Sequence, residues 1–272
     1  MGVPFSSNSS ESRAAVLGVP FDCGTHPTRI GARLGPAAIR EQSALVRPYQ
    51  PPAWDFDPLA QLNVVDCGDV SCTSGVITPS LDNIEQAVAK IVSAGAVPVT
   101  MGGDGLVTLP QLRALHQRYS DLVVLHIDAH TDTYPGDGES EHQRYNTATT
   151  FTRAAEEGLI DTQRSFHIGA RGTVTVPGVF EHTREKGYQL IDGATLYQRG
   201  YASVLDVCTP TFGGATAREG LQLLAGLQGL KLVAIDVNTV SPPHDVGGMT
   251  AFLAATVMIQ CLALLCDNST DF

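Results

Sequence analysis

The sequence predicts an α/β fold in which a mainly parallel β-sheet lies between two layers of helices. Strand-like runs that are apolar throughout alternate with helical segments, and polar residues follow three of these runs where each strand would end. Apolar strands of this kind are typical of parallel sheets that helices cover on both faces. With 272 residues, 43% of them hydrophobic, the chain is long enough to bury a sizeable core.

The predicted elements follow one another from the N-terminus. Residues 1–12 are Ser-rich and are expected to be a flexible tail, and residues 13–272 are expected to form a single domain. Apolar runs predict seven strands, and runs with helical spacing predict five helices, one of which ends at the glycine cap Gly95. The predicted strands are residues 14–21, 62–70, 96–104, 122–130, 165–172, 187–192 and 231–240. The predicted helices are residues 35–46, 81–95, 108–119, 217–227 and 248–265.

The net charge of the chain indicates which classes of molecule it can bind. There are 17 Lys and Arg residues against 28 Asp and Glu residues, which gives a net charge of −11. We expect so acidic a chain to bind neither nucleic acid nor a membrane surface, whereas a small cationic substrate is compatible with its field. We recognise no signal peptide and no apolar stretch of about 18 residues, so a cytoplasmic protein is expected.

Three polar segments come directly after predicted strands, at residues 101–104, 127–132 and 235–238. Ligands of open parallel sheets bind beyond the carboxyl ends of the strands. We therefore expect these segments to line one crevice.

The second of these segments suggests a metal site. His126, Asp128, His130 and Asp132 stand at every second position, so in an extended chain their side chains point the same way. Two carboxylates and an imidazole suit Mn²⁺, Zn²⁺ or Fe²⁺, and such an ion lowers the pKa of water that it binds. The alternative is a cluster of helix-cap and turn residues, in which Asp and Thr are favoured.

Residues 127–132, Ile-Asp-Ala-His-Thr-Asp, resemble the Asp-Ala-His-x-Asp metal motif of the ureohydrolases, the family of arginase and agmatinase. Further segments resemble agmatinase-like members in the same order, at residues 18–40, 66–70, 101–110, 150–161, 167–172 and 233–255. The resemblance implies a three-layer α-β-α fold of the arginase/deacetylase type, with about eight strands, and a homo-oligomer, usually a trimer or hexamer. It also implies two Mn²⁺ ions that activate hydroxide for attack on a guanidinium carbon, which releases urea. The matching ligands here are Asp128, His130 and Asp132.

Other metal positions depart from the family pattern. Gly105 stands where the family has a metal-binding histidine, and residues 193–212 are too short for the usual second metal motif. Asp206 and Cys208 are the candidates for its remnant, and a thiolate ligand would shift the metal preference away from Mn²⁺. The alternative is a trimmed surface loop with a buried cysteine. We expect Asp104 and His126 to support the site by hydrogen bonding, and His126 as a direct ligand is left open.

The positions that bind the substrate in the family also differ in this sequence. Thr239, preceded by Asn238, replaces the glutamate that grips the guanidinium, and a hydroxyl cannot make that bidentate charged pair. Thr147 replaces a loop histidine, so Thr147, Asn238 and Thr239 are the candidate substrate contacts. His142 is a candidate to take over the catalytic work of the lost histidine beside Asp128, with an exposed loop histidine as the alternative.

Two functions follow from this mixture of kept and lost residues. The first is an agmatinase-related, metal-dependent hydrolase that acts on a guanidino-type or related small cationic substrate with an altered, mononuclear metal centre. The second is a catalytically inactive pseudoenzyme that serves as a binding or regulatory subunit, because groups that act as a unit are not replaced singly. The sequence leaves open whether the chain is an enzyme. It also leaves open the metal content, which could be Mn²⁺ or another divalent ion, one ion rather than two, or no ion. Ordinary urea release by two Mn²⁺ ions is not expected.

Overall fold

The computed structural model describes residues 2–22, 30–136, 138–198, 214 and 216–267. Within these residues there are seven strands and ten α-helices. The strands are β1 (Ala14–Gly18), β2 (Val65–Asp69), β3 (Val97–Met101), β4 (Leu125–Ile127), β5 (Phe166–Ala170), β6 (Gln189–Asp192) and β7 (Ile235–Val237). The helices are α1 (Gly35–Ser43), α2 (Pro58–Gln61), α3 (Ile77–Ser93), α4 (Thr108–His116), α5 (Glu141–Arg144), α6 (Thr150–Glu156), α7 (Val179–Glu185), α8 (Gly193–Gln198), α9 (Ala217–Ala225) and α10 (Met249–Asp267).

The chain divides into two compact units. Unit 1 consists of Met1–Asp104 and Leu224–Phe272, and unit 2 consists of Gly105–Leu223. The single domain over residues 13–272 stays a prediction.

Unit 1 contains a four-stranded sheet in the order β2-β1-β3-β7, and each neighbouring pair is parallel. Strands β1 and β3 are buried along their whole length, which explains why their sequences are apolar at every position except Thr100. Helix α1 is tied to β2 by Arg40, whose Nε donates to Asp66 Oδ2 at 2.7 Å and whose Nη1 donates to Asp69 Oδ1 at 2.6 Å.

The long helices of unit 1 follow their sequence patterns. In α3 the residues at helical spacing on one face are buried, namely Ile77, Ser80, Leu81, Ile84, Val88, Ile91 and Val92, and Gly95 follows with a φ of +86°. Helix α10 corrects one expectation, because its segment Met249–Cys266 is long and apolar enough to span a membrane. In the structure 72% of that segment is buried, which is typical of a core helix.

Unit 2 contains a three-stranded sheet in the order β4-β5-β6, again with parallel neighbours. Leu196 of α8 is buried against a small apolar cluster formed by Ile127, Ile168, Ile191 and Leu223. The register places His126 of β4 directly beside His167 of β5. This pairing brings together two polar side chains that are far apart in the sequence.

The parallel α/β architecture that the sequence predicts is confirmed, and every predicted strand contains an observed one. The described residues have seven strands, one fewer than the resemblance implies, arranged in sheets of four and three. Residues of the expected flexible tail lie along β2, where Ser6 N donates to Asp66 O at 2.9 Å and Asp66 N donates to Pro4 O at 2.9 Å. The reason is that the outer edge of β2 has backbone groups that need hydrogen-bond partners.

Candidate active site

Strand β4 delivers Asp128 to the carboxyl end of the unit 2 sheet. Its backbone N donates to Ile168 O at 3.1 Å, and Arg171 N donates to Ala129 O at 2.8 Å, so pairing with β5 continues past the end of β4. Strand β4 ends at Ile127 and residues 128–130 form a bend, so the extended chain that the sequence analysis expects through Asp132 stops at Asp128.

Asp128 and His130 form a local pair. Asp128 Oδ1 accepts a hydrogen bond from His130 N at 2.8 Å, and His130 Nδ1 lies 3.5 Å from the same oxygen. Burial acts to raise the pKa of Asp128, but the hydrogen bonds from His130 and the nearby charge of His126 outweigh it, so the pKa lies below its ordinary value. Asp128 is therefore a carboxylate at neutral pH.

Asp132 is buried in a bend of the chain. Its φ is +48°, a left-handed conformation that is uncommon for residues other than glycine. The bend is held by Phe151 N, which donates to Asp132 O at 2.9 Å, and by Tyr134 N, which donates to Ala148 O at 2.8 Å. Burial and the negative charge of Asp132 raise the pKa of Tyr134. Two backbone contacts thus stabilise a strained position that holds a buried carboxylate.

Gly105 lies against both Asp132 and Thr147. A Cβ atom at position 105 would stand 2.7 Å from Thr147 Cγ2 and 3.1 Å from Asp132 Oδ2. The segments are also linked by Thr150 Oγ1, which donates to Gly105 O at 3.2 Å. Three predicted site positions that are distant in sequence therefore adjoin in unit 2, and the space beside Asp132 is filled by the methyl group of Thr147.

Two predicted substrate contacts, Asn238 and Thr239, belong to unit 1. Asn238 Nδ2 donates to Asp236 Oδ2 at 2.9 Å, and Thr100 Oγ1 donates to Asp236 Oδ1 at 2.8 Å. Thr239 has a φ of +62°, its N donates to Gly103 O at 2.7 Å and its Oγ1 donates to Asn238 O at 2.8 Å. These bonds fix the conformation of the chain after β7. The side chains of Asn238 and Thr239 are both polar and uncharged.

The remaining predicted residues have varied surroundings. Asp104, in unit 1, is anchored through its backbone N, which donates to Phe21 O at 3.1 Å. His142 is exposed on the short helix α5, and its backbone O accepts from Asn146 Nδ2 at 2.8 Å. A catalytic role for His142 stays a prediction. Asp206 and Cys208 lie outside the described residues, so their proposed role as ligands stays a prediction too.

The sequence profile of the arginase family matches residues 12–207 and 202–264. The chain belongs to the arginase family. Together the two matches cover most of its length, and they overlap at residues 202–207.

Relatives of known name support the same assignment. The chain is 36% identical to a guanidinopropionase from Pseudomonas aeruginosa, over 99% of this chain and 92% of that protein. It is 33% identical to an agmatinase from Serratia proteamaculans, over 98% of this chain and 92% of that protein. The solved structure of proclavaminate amidino hydrolase from Streptomyces clavuligerus superposes with a TM-score of 0.89 at 28% identity, covering 98% of this chain and 96% of that one.

Relative to these arginase-family proteins, this chain lacks residues. The alignment with the guanidinopropionase runs over 299 positions, more than the 272 residues of the chain, so the relative has residues where this chain has none. The double match at residues 202–207 lies within the segment 193–212, which the sequence analysis identifies as short. The shortened second metal motif stays a prediction.

The side chains of the described residues form no preassembled cluster of metal ligands. Within residues 2–22, 30–136, 138–198, 214 and 216–267, no group of three or more His, Cys, Asp and Glu side chains is arranged to hold an ion. Gly105 offers no donor at the position beside Asp132, where the resemblance implies a histidine. The donor types of Asp128, His130 and Asp132 suit one divalent ion, provided that their side chains converge when it binds.

The sequence analysis missed His167, which the structure brings next to His126, and Thr133, which contacts His167. His167 Nδ1 lies 2.9 Å from His126 Nδ1, and Thr133 Oγ1 lies 3.3 Å from His167 Nε2. The sequence analysis assigns no role to His167. The signal that could have found it is the register of β4 and β5, since both histidines occupy the second position of their strands.

Proposed function

We propose that this chain is a hydrolase that releases urea from a small guanidino compound and needs a divalent metal ion. The observation that carries the proposal is the ionised Asp128 on the acidic segment after β4, in a chain of the arginase family. Named relatives support it, because two are called after a guanidino acid and after amidino hydrolysis.

The reaction balances without a further reagent. A water molecule adds to the guanidinium carbon, the bond from that carbon to the substituted nitrogen breaks, and the nitrogen leaves with a proton as an amine, so that urea remains. The carboxylates of Asp128 and Asp132 favour the approach of a cationic guanidinium and can accept a proton from water. The overall charge of −11 acts in the same direction.

The metal ion would be held by Asp128, His130 and Asp132. The support for this choice is the donor set, since hard carboxylates and one imidazole suit Mn²⁺ and similar ions. When bound, such an ion is a Lewis acid that makes water a nucleophile at neutral pH.

Thr147, Asn238 and Thr239 would contact the substrate through neutral groups. A hydroxyl and an amide form hydrogen bonds with a guanidinium but cannot form the bidentate ion pair that a carboxylate forms. We therefore expect weaker binding of the guanidinium than a glutamate at position 239 would give.

The test is urea release by purified protein, loaded with Mn²⁺, from agmatine, arginine, 3-guanidinopropionate and 4-guanidinobutyrate. We expect urea from at least one of them, and loss of that activity in Asp128→Asn. Asp121→Asn, which changes an exposed carboxylate of the same unit, is the matched control and should keep the activity. Circular dichroism of each variant checks that the fold is retained.

Absence of urea from all four compounds in the folded, Mn²⁺-loaded protein would overturn the proposal. That result would favour the inactive binding or regulatory subunit, an alternative that the named relatives do not support. The cytoplasmic location and the trimer or hexamer stay predictions, and the mass of the purified protein in solution tests the oligomer.

A further inference from the structure

A chain of polar side chains runs through the buried part of unit 2 to His126. Thr131, Thr133 and His167 are each at most 1% exposed. Thr133 Oγ1 donates to Thr131 O at 2.8 Å and lies 3.3 Å from His167 Nε2, while His167 Nδ1 lies 2.9 Å from His126 Nδ1. Which atom donates in the last two contacts decides what His126 can do.

The single hydroxyl proton of Thr133 determines which atom donates in the hydrogen bond between Thr133 and His167. A threonine hydroxyl has one proton, and here the short bond to Thr131 O uses it. Towards His167 the oxygen of Thr133 can therefore only accept. His167 Nε2 must carry the proton of that contact.

The single ring proton of His167 likewise determines which atom donates in the hydrogen bond between His167 and His126. Burial is the main cause that holds the pKa of His167 well below its ordinary value, so the ring is neutral. A neutral imidazole has one proton, and in His167 it is on Nε2. His167 Nδ1 therefore accepts, and His126 Nδ1 donates.

Aromatic packing keeps both rings in place. The centroid of the His126 ring lies 4.5 Å from that of Phe151, and the centroid of His167 lies 4.6 Å from that of Tyr188. Tyr188 Oη in turn donates to Phe151 O at 2.7 Å, which fixes the two aromatic residues relative to each other. A turn of either histidine ring would have to displace these neighbours.

We infer that Thr133 and His167 are positioning residues that hold His126 with a proton on Nδ1, so that every other ring contact of His126 is made through Nε2. In the neutral ring Nε2 then carries the lone pair, which accepts a hydrogen bond or binds a cation. His126 stands two residues before Asp128, at the carboxyl end of β4, so this nitrogen lies beside the candidate site. The orientation is independent of the proposed function, and only its effect on urea release rests on that function.

The test is long-range proton–nitrogen NMR of the full-length protein with isotope-labelled histidine, which distinguishes protonated from bare ring nitrogens. In the unaltered protein we expect a protonated Nδ1 on His126, and a protonated Nε2 with a bare Nδ1 on His167. The opposite pattern on either ring would overturn the inference, and this measurement needs no variant to fold.

Variants at Thr133 test the cause. Thr133→Val keeps the shape but removes the oxygen, so we expect loss of the protonated Nδ1 signal of His126, while Thr133→Ser should keep the original pattern. Thr152→Val is the matched control, because Thr152 is also about 1% exposed and its hydroxyl donates to Tyr134 O at 2.8 Å. An unchanged pattern in folded Thr133→Val, or the same change in Thr152→Val, would contradict the inference.

Urea release separates the two proposals. If the NMR pattern is as expected but no variant or parent releases urea, the positioning inference stands and the proposed function fails. If urea is released and the NMR pattern is reversed, the proposed function stands and the inference fails.

Discussion

Gly105 and Thr147 lie so close together that a Cβ atom at position 105 would stand 2.7 Å from Thr147 Cγ2. Real Cβ atoms do not approach other heavy atoms so closely, because interiors are already packed to the density of organic crystals. The absence of a side chain at 105 and the methyl group at 147 are therefore linked by volume. Together they decide what surrounds the buried Asp132.

The first prediction follows from this contact. We expect Gly105→Ala to lower the free energy of unfolding by about 2 kcal/mol, because overpacking a filled site costs on the order of 1–3 kcal/mol. In a Thr147→Ser background, which lacks the methyl group, the same change should cost about 1 kcal/mol less. Denaturant unfolding of the four proteins of this cycle measures the difference.

Thr149→Ser provides the control for that cycle. Thr149 Cγ2 lies against Gly136 rather than Gly105, so its effect should add to that of Gly105→Ala. If Gly105→Ala couples equally to Thr147→Ser and to Thr149→Ser, the contact at 2.7 Å is not the cause of the destabilisation by Gly105→Ala.

The second prediction concerns metal content. Because Gly105 supplies no donor where the resemblance implies a histidine, we expect about one divalent ion per chain after loading with Mn²⁺. Asp128→Ala should lose that ion, and Mn²⁺ should raise the Tm of the parent but not of the variant. Mass spectrometry of the dialysed protein measures the metal, and about two ions per chain would contradict the prediction.

The third prediction concerns acid stability. His167 is neutral in the fold because its pKa lies well below the ordinary 6.5, whereas in the unfolded chain it takes up a proton below that pH. Stability from this group is thus present above pH 6.5 and is lost as the pH falls below it. Between pH 6.5 and 5.5 the parent should lose about 1 kcal/mol more than His167→Gln.

His142→Gln is the matched control for this experiment, because it removes an exposed histidine of the same unit. It should follow the pH dependence of the parent. If His167→Gln follows the parent as well, burial of His167 does not contribute to acid sensitivity.

The fourth prediction concerns the link between α1 and β2. Arg40 contacts both Asp66 and Asp69 and its side chain is 30% exposed, so we expect Arg40→Ala to cost about 1–2 kcal/mol. Arg164, whose partner Asp161 is also at the surface, has a side chain that is 61% exposed, and Arg164→Ala should have little effect. Equal losses in thermal unfolding would contradict the importance of the Arg40 contacts.

Much of the fold could be predicted from local sequence. The spacing from Ile77 to Val92 gives α3, and the apolar runs around β1 and β3 give buried parallel strands, because helical and extended periods are properties of neighbouring residues. Short helices such as α5 were missed. Its capping box at Ser140 and Gln143 is a local signal, but four residues are too few to show a period.

Local sequence predicted the candidate site in part as well. Alternation along residues 126–132 was enough to identify Asp128, His130 and Asp132 as candidate ligands, because in an extended chain it places side chains on one face. It could not predict the φ of +48° at Asp132, which depends on backbone contacts with residues 148 and 151. Nor could it predict that the tail would lie along β2.

The sequence by itself therefore determined the α/β class, the order of the elements and the donor types on the segment after β4. Only the tertiary structure decided that Thr147 fills the space beside Gly105 and that His167 meets His126 at 2.9 Å. The physical reason is that periods and caps are set by residues a few positions apart. Contacts between distant segments depend on strand register and on the volume that neighbouring side chains leave.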